Sequence, residues 1–304
     1  IELENTDHSL DHLAKRVCDE ILCGGTSSHV VLGAKDKRFI YRSKVEAISS
    51  LGKAPLKAQS VVLVTGGAKG VTAQCLLEMA KHQPYRFVLI GRSKRQVESQ
   101  ALKKCQNHQQ IQSYLIAEAK AKNLALTPVK LNKQINQILS ARQIESTLEQ
   151  LCALGSQVHY EALDCQELEK VKSLLQKIRQ KWGCIDALIH AAGVLQDQLI
   201  VDLSEQAFTQ VYDTKVKGAL NLLQALSEDQ LQLVCFFTSV SGCWGNRGQV
   251  SYSIANQLLN HIAVQEQQRR PNCVVKALNW GPWDGGMVDA QLKQHFLSQN
   301  IELL

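Results

Sequence analysis

Three features of the 304-residue chain predict an α/β fold, a doubly wound parallel sheet with helices on both faces. Short apolar runs recur from Val61 onward, amphipathic helical stretches alternate with them, and a glycine turn joins the first run to the first helix. Alternation of this kind links parallel strands by right-handed crossovers. With 45% hydrophobic and 20% charged residues, the composition is that of a globular protein and excludes wholesale disorder.

The first stretch, with Leu10, Leu13, Val17 and Ile21 at helical spacing, predicts one helix. Two strand-like runs follow, His29-Val30-Val31-Leu32 and Arg38-Phe39-Ile40-Tyr41, with Gly33 to Lys37 as a hairpin loop. This small α+β appendage is too short for a sizeable core of its own. Residues 51–60, with Gly52 and Pro55, read as a linker, and the domain boundary is placed at 56/57. Strands are then expected at 61–64, 86–90, 157–162, 187–190, 233–237 and 274–279, and helices at 71–82, 168–182 and 250–267. Val61-Val62-Leu63-Val64 has the unbroken apolarity of a parallel strand buried on both faces. The interval between Ser93 and Gln157 is far longer than one crossover needs. Ile111, Leu115 and Ala119 mark one helix there, and Ile135, Ile138, Leu139, Ile144, Leu148 and Leu151 another ending at Gly155, so residues 95–155 are read as a helical insertion.

Ten cysteines at irregular spacing form no Cys-x-x-Cys pair, so neither a disulfide framework nor a metal site is expected. Most are read as reduced, buried, small apolar residues of a cytoplasmic protein. No apolar run approaches the roughly 18–20 residues of a membrane span, and the start lacks the basic-then-apolar order of a signal peptide. Without an initial Met, the chain reads as a piece of something longer. Its net charge of +6 is spread without a basic block, which speaks for a phosphorylated cofactor or an acidic partner protein rather than nucleic acid.

Chemistry is concentrated in three places. Thr65-Gly66-Gly67-Ala68-Lys69-Gly70-Val71-Thr72 follows a strand and opens a helix, where glycines let the backbone approach a pyrophosphate and the helix end supplies amide donors. Arg92 ends the second strand in Ile90-Gly91-Arg92-Ser93. An acid at that position would hold the ribose hydroxyls of NAD, whereas Arg92 and Lys69 suit the extra phosphate of NADPH. The third group is His190-Ala191-Ala192-Gly193, Ser239 after Phe236-Phe237-Thr238, and Tyr252 with Asn256 one helical turn on, while Lys215 belongs to an earlier helix.

These residues resemble the short-chain dehydrogenase/reductase superfamily and, within it, the ketoreductase domains of polyketide, animal-type fatty acid and polyunsaturated fatty acid synthases, over Val61 to about Val288. Most of the superfamily places its lysine four residues after the tyrosine, but these domains have asparagine there and carry the lysine on the preceding helix, as Tyr252, Asn256 and Lys215 do. The segment Leu278-Asn279-Trp280-Gly281-Pro282-Trp283-Asp284-Gly285-Gly286-Met287 resembles the family's stretch after the last strand, and the long insertion resembles the polyunsaturated fatty acid synthase branch. Thr72 departs from the pattern, standing where a third glycine is usual.

The resemblance implies a Rossmann-like catalytic domain over 57–304 preceded by a truncated structural subdomain. Its implied activity is NADPH-dependent reduction of a β-ketoacyl thioester on the phosphopantetheine arm of an acyl carrier protein, without a metal. Lys215, Ser239, Tyr252 and Asn256 are the candidate catalytic residues. Candidate cofactor contacts are Thr65, Gly66, Gly67, Ala68, Lys69, Gly70, Val71, Arg92, Ser93, Asp164, Cys165, Ala191, Ala192, Gly193, Tyr252, Gly281 and Pro282. Asp197 resembles the mark of D-hydroxy producers, with Gln196 replacing its usual acidic neighbour, whereas Trp244 resembles the mark of the opposite hand. Likeness to fatty-acid-type synthases favours D. Partners implied are the carrier protein, with Lys81, Arg86, Lys94 and Arg95 as candidate docking residues, and other domains of one synthase, through which the chain can be part of a homodimer. Two rival readings are a stand-alone reductase of a small ketone and a non-catalytic scaffold.

Overall fold

The computed structural model describes residues 9–26, 30–33, 35–40, 55–96 and 98–283, the backbone of Glu2–Leu3, and four isolated positions near the C-terminus. The expected strand residues His29 and Tyr41, residues 51–54 of the linker, and Asp284 to Val288 lie outside the described residues. The chain forms two compact units, Ile1–Lys53 and Ala54–Leu304.

In the first unit, α1 (Leu10–Cys23) starts at Ser9, whose hydroxyl accepts the His12 N–H. Strand β1 (Glu2–Leu3) pairs in parallel with β2 (Val30–Leu32), which pairs antiparallel with β3 (Arg38–Ile40). Lys35 and Asp36, both at positive φ (54° and 57°), lie in the hairpin loop, which the Gly33 N–H closes by donating to the Lys37 carbonyl. Arg16 donates to the carbonyls of Gly33 and Lys37, each at 2.8 Å, and Arg38 grips Glu20 with two bonds, tying α1 to the hairpin.

The second unit begins with β4 (Val61–Thr65), α2 (Gly70–His82) and β5 (Arg86–Gly91). Helices α3 (Gln100–Lys103), α4 (His108–Ala121) and α5 (Pro128–Ala153) precede β6 (Gln157–Ala162). Then come α6 (Leu168–Trp182), β7 (Ala187–His190), α7 (Glu205–Tyr212), a π-helical turn (Asp213–Lys217) and α8 (Gly218–Ala225). The chain continues through β8 (Leu233–Ser239), α9 (Ser241–Trp244), α10 (Val250–Arg269) and β9 (Val274–Trp280). The six strands are parallel in the order β6-β5-β4-β7-β8-β9, a Rossmann-like sheet.

The two-residue period of the strands sorts side chains between two cores. Val61, Leu63, Val88, Ile90, Leu188, Val234 and Phe236 face α6, α8 and α10, while Val62, Val64, Phe87, Leu89, Ala187 and Ile189 face α2 and α5. Phe87 and Phe236 are fully buried, each worth about 1.5–3 kcal/mol of apolar burial.

The insertion is narrower than the sequence suggests. Helix α5 is continuous over 26 residues, capped by Thr127 with Pro128 in its first turn. Its second half is the crossover helix itself, with Ile144, Leu148 and Leu151 in the sheet core. Leu131, Ile135 and Ile138 of its first half pack with Ile111 and Leu115 of α4 in a separate small core. The extra chain is therefore α3, α4 and half of α5.

All ten cysteines are free, but most are not buried, contrary to expectation: only Cys165, Cys235 and Cys273 are. Cys152 illustrates why, since Leu148 and Leu151 take the core-facing side of α5 and leave it in solvent. No helix among the described residues is long and apolar enough to cross a membrane.

Candidate active site

The sheet reverses its winding between β4 and β7, and the carboxyl ends of the strands there open into a cleft of roughly 1360 Å³. That exceeds the roughly 300–1,000 Å³ of a small-ligand pocket and has room for a dinucleotide with a second substrate. Of the proposed site residues, all but Gly67 and Asn256 line it.

The glycine turn is shaped for close approach. Gly66 has φ +69°, and a Cβ there would lie 2.9 Å from the Ala191 carbonyl oxygen. A Cβ on Gly67 would strike Val64 and Leu76 instead, so this glycine serves packing beneath the turn rather than the cleft wall. Helix α2 has no side-chain cap, and its first residues Gly70, Val71 and Thr72 line the cleft, leaving amide donors for an anion. Thr72, in place of the usual glycine, is accommodated buried. These features fit a dinucleotide pyrophosphate.

Arg92, exposed on the wall, and Ser93, whose carbonyl accepts the Tyr160 hydroxyl at 2.5 Å, form the next section with Asp164 and Cys165. Asp164 Oδ1 accepts the Gln166 N–H at 3.0 Å. Burial pushes the Cys165 thiol up to about 12, so it stays protonated and is no nucleophile.

At the other end four side chains converge. Lys215 sits in the π-helical turn, only 3% exposed, with Nζ donating to the Phe237 carbonyl at 2.9 Å and lying 5.6 Å from the centre of the Tyr252 ring. A π turn inserted between α7 and α8 re-aims this one side chain into the cleft. Burial lowers its pKa from 10.5 to about 8. Burial raises the Tyr252 phenol, and the neighbouring Asn256 and Ser239 side chains pull the other way. Ser239 Oγ accepts from the Ser241 N–H (3.2 Å) and hydroxyl (3.0 Å), which leaves its own proton for a ligand in the cleft. Asn256 is fully buried; its Nδ2 donates to the Tyr252 carbonyl at 2.7 Å, and its Oδ1 has no partner among the described residues. It makes no hydrogen bond to Lys215, and its orphaned oxygen suits a bridging water.

His190 carries no assigned role in the sequence pattern, yet it joins the two ends of the cleft. Thr65 Oγ1 accepts the N–H groups of Ala191 and Ala192, so its proton goes to His190 Nδ1 at 2.8 Å. His190 Nε2–H then donates to the Lys215 carbonyl at 2.9 Å. Burial depresses the imidazole to about 3, keeping it neutral. The chain Thr65–His190–Lys215 thus anchors the π turn to the glycine turn. Buried polar residues at the carboxyl ends of two adjacent strands were the available signal. Gln143 and Ile144 of α5 also line the cleft, and no local motif marks them.

At the mouth, Asp197 accepts from Gln249 Nε2 at 2.8 Å, and Trp244 stands 68% exposed on the same wall. Phe237, Trp280 and Trp283 stack edge-to-face or tilted beside Gly281 and Pro282. Three of the four candidate docking cations are engaged within the chain: Lys81 with Glu78, Arg86 with the Trp182 carbonyl and Arg95 with Glu145.

Comparison with known proteins agrees with this geometry. A family model described as KR domain matches residues 60–285. The chain belongs to the KR domain family. It is 31% identical over 285 residues to a polyunsaturated fatty acid synthase polypeptide of Thraustochytrium sp., covering 90% of this chain and 10% of that protein. To polyketide synthase PksL of Bacillus subtilis it is 24% identical over 282 residues, covering 90% of this chain and 5% of that protein. The chain therefore spans a tenth or less of these relatives' length. A solved ketoreductase domain from the bacillaene assembly line superposes with a TM-score of 0.71 at 24% identity, covering 99% of this chain and 63% of that one. As a KR domain, the chain falls in an oxidoreductase family that uses a nicotinamide cofactor.

Proposed function

We propose that this KR domain reduces a β-ketoacyl thioester, carried by an acyl carrier protein of its parent synthase, to the D-β-hydroxyacyl thioester with NADPH. The observation that carries the reading is the Lys215 ammonium 5.6 Å from the Tyr252 ring, both facing one cleft beside Ser239. Support for the phosphorylated cofactor comes from Lys69 and Arg92 on the wall, with no carboxylate at the end of β5.

A reduced nicotinamide bound in the cleft supplies the hydride. The chain's own residues handle the charge that this creates on the ketone oxygen. Ser239 donates its free proton to that oxygen and fixes its position. Tyr252, a neutral phenol at physiological pH, delivers the proton that completes the alcohol. Lys215, protonated below about 8, stabilises the phenolate left behind. Asn256 Oδ1 holds a water through which the phenol is reprotonated.

Loss of NADPH absorbance with a β-ketoacyl thioester, followed by chiral analysis of the alcohol, tests the reading. Tyr252→Phe should lower turnover by about 10²-fold or more while NADPH still binds; undiminished turnover overturns the assignment. Equal efficiency with carrier-bound and free thioesters would remove the carrier from it.

A further inference from the structure

We propose that helix α5 completes the site for the cofactor's 2′-phosphate, with Ser140 and Gln143 as specificity-determining residues. This rests on the NADPH reading and adds to it a wall that the glycine turn and β5 do not supply. Lys69 Nζ donates to Ser140 Oγ at 3.1 Å, so the turn's cation is held against α5 rather than left to sweep solvent. One helical turn from Lys69's partner, Gln143 lines the same cleft as Arg92 and Ser93, with Ile144 beside it.

The arginines of this seam point to an anion. Arg95 is matched bidentately to Glu145 at 2.6 and 2.7 Å, and Arg142 to Glu98 at 2.8 and 2.7 Å, with further bonds to the carbonyls of Leu102 and Cys105. These pairs sew the loop after β5 onto α5 and engage Glu98 and Glu145. Arg92, in the same loop, has no hydrogen-bond partner among the described residues, and neither has the Gln143 carboxamide. The acid on this section of wall, Asp164, already accepts the Gln166 N–H. What remains is a guanidinium, an ammonium, an amide and a hydroxyl, a donor set that suits a phosphate monoester dianion and offers little to a bare ribose.

Titration calorimetry on the whole chain with NADPH, NADH and 2′,5′-ADP tests this. Gln143→Glu puts a carboxylate in the cleft that Arg92 lines and should weaken NADPH and 2′,5′-ADP by about tenfold or more, leaving NADH within about twofold. Ser140→Ala should weaken only the 2′-phosphorylated ligands, by about threefold. Unchanged thermal midpoints separate these effects from misfolding. If the wild type prefers NADPH and both variants keep its ratio to NADH, the role of α5 is overturned while the cofactor reading stands. Equal weakening of both dinucleotides overturns it as well, since that is a packing effect. A wild type that holds NADH as tightly as NADPH overturns both readings.

Discussion

At the catalytic end of the cleft Lys215 and His190 are buried and already engaged, whereas at the phosphate end Lys69 and Arg92 are exposed and Arg92 is unengaged. Lys215 spends its ammonium on the Phe237 carbonyl and its own carbonyl on a neutral His190. The difference follows from where the charge comes from. Proton transfer needs donors fixed within tenths of an ångström before the substrate arrives, so burial and polar bonds hold them, and low dielectric strengthens their mutual effect. A phosphate brings its own charge, so the groups that meet it can stay solvated until then, at no desolvation penalty to the fold.

Replacing one cation at each end breaks the comparison most directly. Lys215→Met should cost about 10²-fold or more in turnover, yet raise stability by about 1–3 kcal/mol, because a buried ammonium gives way to an apolar chain of similar size. Arg92→Met should leave stability within about 0.5 kcal/mol and weaken NADPH alone. Turnover and thermal denaturation read both. A Lys215→Met protein less stable than the parent would mean that the ammonium holds the π turn together rather than straining it.

A smaller effect is expected from pH. With the Lys215 pKa lowered to about 8 by burial, the protonated form is complete below that value and lost above it. The kcat/KM for NADPH should therefore fall about tenfold per pH unit above pH 8. His190, held down near 3, should add no inflection between pH 5 and 7. For stability the sign reverses: the unfolded chain binds the proton more tightly between 8 and 10.5, so this group's contribution rises with pH through that window. A limb near 10 in the rate profile would assign it to another group.

Much of this was legible in the residues. Strands buried on both faces read as apolar runs, and β4 to β7 stand within a residue of their expected places. Tyr252, Asn256, Ser239 and Lys215 carried their signal through order and spacing. Strand β8 was harder: it runs two residues beyond Phe237, because Thr238 and Ser239 are polar residues at the strand end where the site is built. Helix α5 hid its double role, since one periodicity serves the sheet core and the α4 core alike. The bond from Lys69 to Ser140 spans 71 positions, and nothing local announces it.

The subtlest test lies at the seam between the two ends. Gly218 opens α8 directly after the π turn with ordinary helical φ (−57°), so alanine suits its backbone and would normally stabilise a helix by about 1 kcal/mol. A Cβ there would lie 2.6 Å from Cys165 Sγ on the phosphate side, and 3.6 Å from the His190 ring on the catalytic side. The sulfur belongs to a short buried side chain with little room to yield, so Gly218→Ala should destabilise by about 1–3 kcal/mol. Removing the sulfur removes the obstacle: in a Cys165→Ala background the same change should be neutral or stabilising by up to about 1 kcal/mol. Denaturant midpoints of the four proteins give the coupling. If the two substitutions add independently, the glycine is not there to let α8 close on the segment after β6, and the link between the two ends rests on the Thr65–His190–Lys215 bonds alone.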